Sequence, residues 1–112
     1  MRKIRVALGQ INPIVGDFDY NLQKILDYIK KAKDLQADII AFPELALTGY
    51  PPEDLILKPS FIEKNLHYIK KIAENVEDII AIVGFIDKKE DIYNTAAIIH
   101  NKNIIATYHK QF

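Results

Sequence analysis

Residues 41–54 read "AFPELALTGYPPED", and the fold turns on how this stretch is read. A short apolar run ends at Pro43, which cannot donate to a β ladder, so a strand stops there. The run begins further back, in "ADIIAFPE" (37–44), where β-branched and aromatic residues predict a strand. Its last residue, Glu44, is a carboxylate, an odd ending for a buried strand. A long connection, 45–59, follows with Gly49, Pro51, Pro52 and Pro59. Connections of that length in small domains are usually functional or mobile. Glu53 and Asp54 directly follow two prolines, a pattern that predicts a helical turn with carboxylates at its positive end.

Working outward toward the N-terminus, Leu22, Ile25, Leu26, Ile29 and Ala32 recur at helical spacing, with Lys24, Lys30, Lys31 and Lys33 facing out. This predicts a helix over 21–35, capped by Asp17, Asp19 or Asn21. Before it, "IRVALGQI" (4–11) predicts a strand that is apolar enough to be covered on both faces. Toward the C-terminus, Ser60-Phe61-Ile62-Glu63 matches a capping box and predicts a helix beginning at Ser60. Its apolar stripe is Ile62, Leu66, Ile69 and Ala73. Three strands follow: 78–87, "IYNTAAIIH" (92–100) and 104–112. Short polar turns join them, so they should be antiparallel neighbours. The expected order is βαβαβββ: an α/β fold with a mixed sheet, parallel in its first half and a meander in its second.

Composition excludes much. The 112 residues carry 15 basic and 15 acidic side chains, so charge gives no reason to expect nucleic acid or an acidic membrane surface as a partner. No run approaches a membrane span, and the N-terminus makes a poor signal peptide, so a cytoplasmic location is expected. There is no cysteine, which rules out disulfides, thiolate metal sites and a cysteine nucleophile among these residues.

The candidate chemistry is sparse. Glu44 falls just past the carboxyl end of a strand, where open α/β sheets place their sites. It should lie in a partly desolvated pocket, and desolvation favours the protonated form of a carboxyl group. On position alone, a turn cap or a surface ion pair accounts for it more economically. Lys110, at the far end of the last strand, could stabilise negative charge on a substrate oxygen. Alone, it reads as a solvated strand end. His67, His100 and His109 read as surface residues without a metal site, and Tyr50 either lines a pocket or packs. The four glycines are isolated and form no phosphate loop.

Together these residues say more. Gln10, Gly16-Asp17, Asn21, then Phe42-Pro43-Glu44-Leu45, Leu47-Thr48-Gly49-Tyr50 and Asn94-Thr95-Ala96 resemble, in order, the N-terminal half of the nitrilase or carbon–nitrogen hydrolase superfamily. "LTGYPPEDLILKPSFI" (47–62) narrows this to the glutaminase domains of glutamine-dependent NAD synthetases. The resemblance implies an αββα sandwich, of which residues 1–112 would be a partial domain cut before the nucleophile. It implies a Glu–Lys–Cys triad in which Glu44 is the general base and Lys110, in "TYHKQF", supports the tetrahedral intermediate. It implies glutamine as substrate, and a separate synthetase domain that uses ATP and Mg²⁺ to amidate nicotinic acid adenine dinucleotide. It also implies a homo-oligomer of the full-length protein.

Without the cysteine, the chain alone is expected to be inactive. With later strands missing, unpaired edges and an uncovered apolar face are expected. The competing readings are a stand-alone amidase acting on another amide, and a non-enzymatic α/β binding module.

Overall fold

The computed structural model describes residues 3–49 and 53–111. It contains β1 (Val6–Leu8), α1 (Phe18–Asp34), β2 (Ile39–Ala41), a 3-10 turn (Glu53–Leu57), α2 (Pro59–Glu74), β3 (Ile80–Lys88), β4 (Ile92–His100) and β5 (Asn103–Gln111). The five strands form one sheet in sequence order. β1, β2 and β3 are parallel, and β4 and β5 continue antiparallel. The sheet is mixed as the sequence predicts. The 3-10 turn falls where the acidic pair follows the prolines.

Two right-handed crossovers that step the same way along a sheet put both helices on the same face. The burial pattern agrees. Ile40, Ala81, Val83, Ala97 and Ile99 are 0–1% exposed and meet Ile25 and Ile29 of α1 and Ile62, Ile69 and Ile72 of α2 in one core. Phe18 of α1 stacks on Phe61 and Tyr68 of α2, with ring centroids 5.1 and 5.2 Å apart.

Among the described residues, the opposite face of the sheet carries no helix. Ile4, Val6, Leu8 and Tyr108 lie there, 57–70% exposed. This corrects the expectation that the first strand is covered on both faces. Its apolar run is real, but among the described residues only the Ala7 side is packed. The expected uncovered apolar face is present.

Helix starts differ from the sequence reading. α1 begins at Phe18, a turn earlier than predicted, because Asp17 is the N-cap and its carboxylate accepts from the Tyr20 amide at 3.1 Å. Asn21, a competing cap candidate, lies inside the helix. The capping box at Ser60 and Glu63 is not formed. Pro59 occupies the first helical position, where its fixed φ and missing N–H cost nothing. The helix therefore starts before Ser60, Lys58 becomes the N-cap, and no side chain caps it.

Candidate functional site

The backbone that carries Glu44 is held at several points. β2 is short, so beyond Ala41 the β3 edge needs other hydrogen-bond partners. The chain itself supplies them. The Phe42 amide donates to the Ile82 carbonyl at 3.0 Å, and the Leu47 amide donates to the Gly84 carbonyl at 3.2 Å. Asn65, wholly buried on α2, then accepts from the Ile86 amide at 2.9 Å and donates to its carbonyl. Between these ties the Glu44–Leu45 peptide lies directly on Gly84. A Cβ at 84 would collide with the Leu45 nitrogen and the Glu44 carbonyl carbon, so only glycine lets the loop cross there. Leu45 sits at φ 52°, a conformation rare for a bulky residue, and Leu45, Ala46 and Leu47 are all 0% exposed.

A second tie comes from Asn21. Its side chain is 0% exposed, accepts from the Ile14 amide, and donates to the carbonyls of Ile14 and Leu47 at 2.8 and 2.9 Å. It thus joins the loop before α1 to the loop after Glu44.

Three side chains converge at this end of the sheet. Lys110 Nζ stands 3.5 Å from Glu44 Oε1, and Asn94 Nδ2 stands 3.3 Å from Glu44 Oε2. Asn94 and Lys110 are direct partners across β4 and β5, so both project to the bare face where Glu44 waits. Phe42, Pro43, Ile82, Thr95, Ala96 and Tyr108 complete the walls of a recess of about 100 Å³. That volume holds a small polar group rather than a whole drug-sized ligand. Gln10 and Asn12 line a larger groove of about 550 Å³ on the other side of Phe42 and Pro43.

Glu44 and Lys110 are each 62% exposed in their side chains. This corrects the expectation of a partly desolvated pocket around Glu44: the recess opens on the uncovered face of the sheet. An exposed ion pair stabilises a fold very little, so the pair is not a structural fastening. The arrangement offers a carboxylate able to take a proton and an ammonium beside it able to stabilise negative charge.

The sequence reading placed Asn94 only within a strand motif and missed its contact with Glu44. The available signal was an asparagine in mid-strand, where that residue is disfavoured. His109 is also corrected. It is not a surface residue: Nε2 lies 2.8 Å from Asp87 Oδ2, and the two side chains are 25% and 19% exposed. It faces the helix side, away from Glu44. His67 is exposed and His100 is half-buried. Tyr50 lies outside the described residues.

The carbon-nitrogen hydrolase family pattern matches residues 5–111. The chain belongs to the carbon-nitrogen hydrolase family. Among relatives, the glutamine-dependent NAD(+) synthetase of Thermotoga maritima is 43% identical, an alignment that covers 98% of this chain and 19% of that protein. A crystal structure of a glutamine-dependent NAD(+) synthetase from Cytophaga hutchinsonii superposes with a TM-score of 0.92 at 32% identity, over 97% of this chain and 19% of that one. The Acinetobacter baumannii synthetase, solved with ADP, gives 0.88 at 37% identity, over 96% and 20%. The five-stranded mixed sheet with two helices therefore matches the corresponding part of these synthetase structures. The chain spans about a fifth of the length of these relatives.

Proposed function

We propose that Glu44 and Lys110 are the general base and the oxyanion-supporting ammonium of a glutamine-hydrolysing centre, with Asn94 orienting the base. The observation that carries this reading is the convergence of Lys110 and Asn94 on the two oxygens of Glu44, 3.5 and 3.3 Å away. Two donors from adjacent strands reach the two carboxylate oxygens and so favour an orientation beside the recess.

The nucleophile is a cysteine thiol outside these 112 residues, since the sequence contains none. Glu44 takes the thiol proton as sulfur attacks the side-chain amide carbon. Lys110 stabilises the negative oxygen of the tetrahedral intermediate. The proton returns to nitrogen, ammonia leaves, and a thioester remains. Glu44 then activates the water that hydrolyses it to glutamate. The ammonia serves a synthetase domain that makes NAD, where ATP and Mg²⁺ belong. None of the residues described above is assigned to them. A cytoplasmic setting and a homo-oligomeric full-length protein accompany this reading.

The test is complementation. The chain is mixed with the part of the Thermotoga maritima relative that lies outside the aligned residues, and ammonia is assayed from glutamine, asparagine and acetamide. Glutamine should be preferred, and Glu44→Gln should cut the rate by about 10²–10⁴-fold. Equal rates on all three amides would remove glutamine as the substrate. A near-normal rate for Glu44→Gln would remove the base.

A further inference from the structure

β5 contains an irregularity that decides where Lys110 points. Next to the turn, His100 pairs with Asn103 and Ile99 with Ile104. The next pair is Ile98 with Ala106, so Ile105 is an extra residue, unpaired and 58% exposed. Were pairing carried on without it, Asn94 would face His109 and Lys110 would face Tyr93. Lys110 would then project to the helix side, because a one-residue slip turns every side chain to the other face. The bulge is what brings Lys110 opposite Asn94 and onto Glu44.

A bulge also means that the turn at Asn101–Lys102 no longer dictates the register beyond it. Something further along must fix it. β5 is an edge strand whose residues are exposed except at His109. His109 reaches past β4 to Asp87 of β3 at 2.8 Å, with the Tyr93 ring edge-on at 5.2 Å. An ionised aspartate only accepts, so Nε2 carries the proton of this bond. Among the described residues, this is the one side-chain hydrogen bond from the helix-facing side of β5 to another strand.

We propose that His109 and Asp87 are positioning residues: their bond locks the bulged register of β5 and so turns the adjacent Lys110 toward Glu44. The inference rests on the reading of Lys110 as part of the hydrolytic centre.

Thiol cross-linking reads the register directly, because the chain has no cysteine of its own. Asn94→Cys with Lys110→Cys reports the bulged register, and Tyr93→Cys with Lys110→Cys reports the slipped one. The first pair should oxidise readily and the second poorly. Adding Asp87→Ala should lower the ratio of the two yields by about fivefold, the worth of one hydrogen bond. Asp87→Asn, which still accepts from Nε2–H, should restore it.

His109→Val keeps a strand-forming side chain and decides the matter if Asp87→Ala does not fold. A ratio unchanged in both Asp87→Ala and His109→Val would overturn the proposal. The readout replaces Lys110 and involves no turnover. Failure of the hydrolytic role of Lys110 would therefore leave this result standing, and the reverse also holds.

Discussion

Glu44 is fixed from behind rather than from the sides. Its backbone is pinned by Gly84, by the bond from the Leu47 amide and by the burial of Leu45 and Leu47, while its carboxylate stays exposed. Stability and the proposed chemistry therefore separate at this residue. Glu44→Gln and Lys110→Met should leave the melting temperature within about 2 °C of the parent, since an exposed pair contributes little. Thermal denaturation followed by circular dichroism checks this, and a large drop would make the pair structural. Gly84→Ala should behave oppositely. It forces the Glu44–Leu45 peptide off the sheet and should cost about 1–3 kcal/mol in urea unfolding, the range for overpacking. That a strand ends just before Glu44 was legible in the sequence, because Pro43 cannot donate to a ladder. The role of Gly84 was not. Nothing local to a glycine in mid-strand says which backbone will cross it.

At the scale of elements, buried asparagines do the work that β2 is too short to do. Asn21→Leu would leave the Ile14 amide and two carbonyls without their partner and should cost about 2–4 kcal/mol, measured as a shift in urea midpoint. Helix starts give a paired prediction. Asp17→Ala should destabilise by about 1 kcal/mol, whereas Ser60→Ala should be neutral or slightly stabilising, because only Asp17 caps. Equal losses at both sites would contradict the helix start at Pro59. Helix periodicity, the order of elements along the chain and the antiparallel meander could all be read from hydrophobic spacing and polar turns. The capping box misled because Pro59 and Ser60 both signal a start, and proline took the first helical position.

Glu77 and Lys102 link the connection between α2 and β3 to the β4–β5 turn at 2.9 Å. The hydrogen bond from Lys102, then its charge, holds the Glu77 carboxyl below its ordinary value. A lowered folded-state value means the contribution is present above the usual glutamate range and fades as pH falls through the folded value. Glu77→Gln should therefore show a slightly smaller loss of stability than the parent on acidification, checked by urea midpoints across the acid range.

On the scale of the whole molecule, the sheet separates a finished face from an open one. Both helices close one side, and Val6, Leu8 and Tyr108 stand exposed on the other, beside the recess of Glu44. Apolar surface of this kind drives association. The isolated chain should sediment as species larger than a monomer, and Leu8→Lys with Tyr108→Lys should shift it toward monomer. A monomeric parent chain would contradict that. The sequence disclosed the apolar content of the first strand but not which of its faces was covered. Periodicity in a three-residue strand cannot distinguish two covered faces from one.

In the proposed centre, Glu44 and Lys110 act as one unit on one amide. The measurement that tests it most directly is the pre-steady-state rate of ammonia release in the complemented enzyme, for Glu44→Gln, Lys110→Met and the double variant. Each single change should slow acylation by about 10²–10³-fold, and the double variant should be no more than about tenfold slower than the worse single. Fully multiplicative losses, or a single variant at the parent rate, would contradict it.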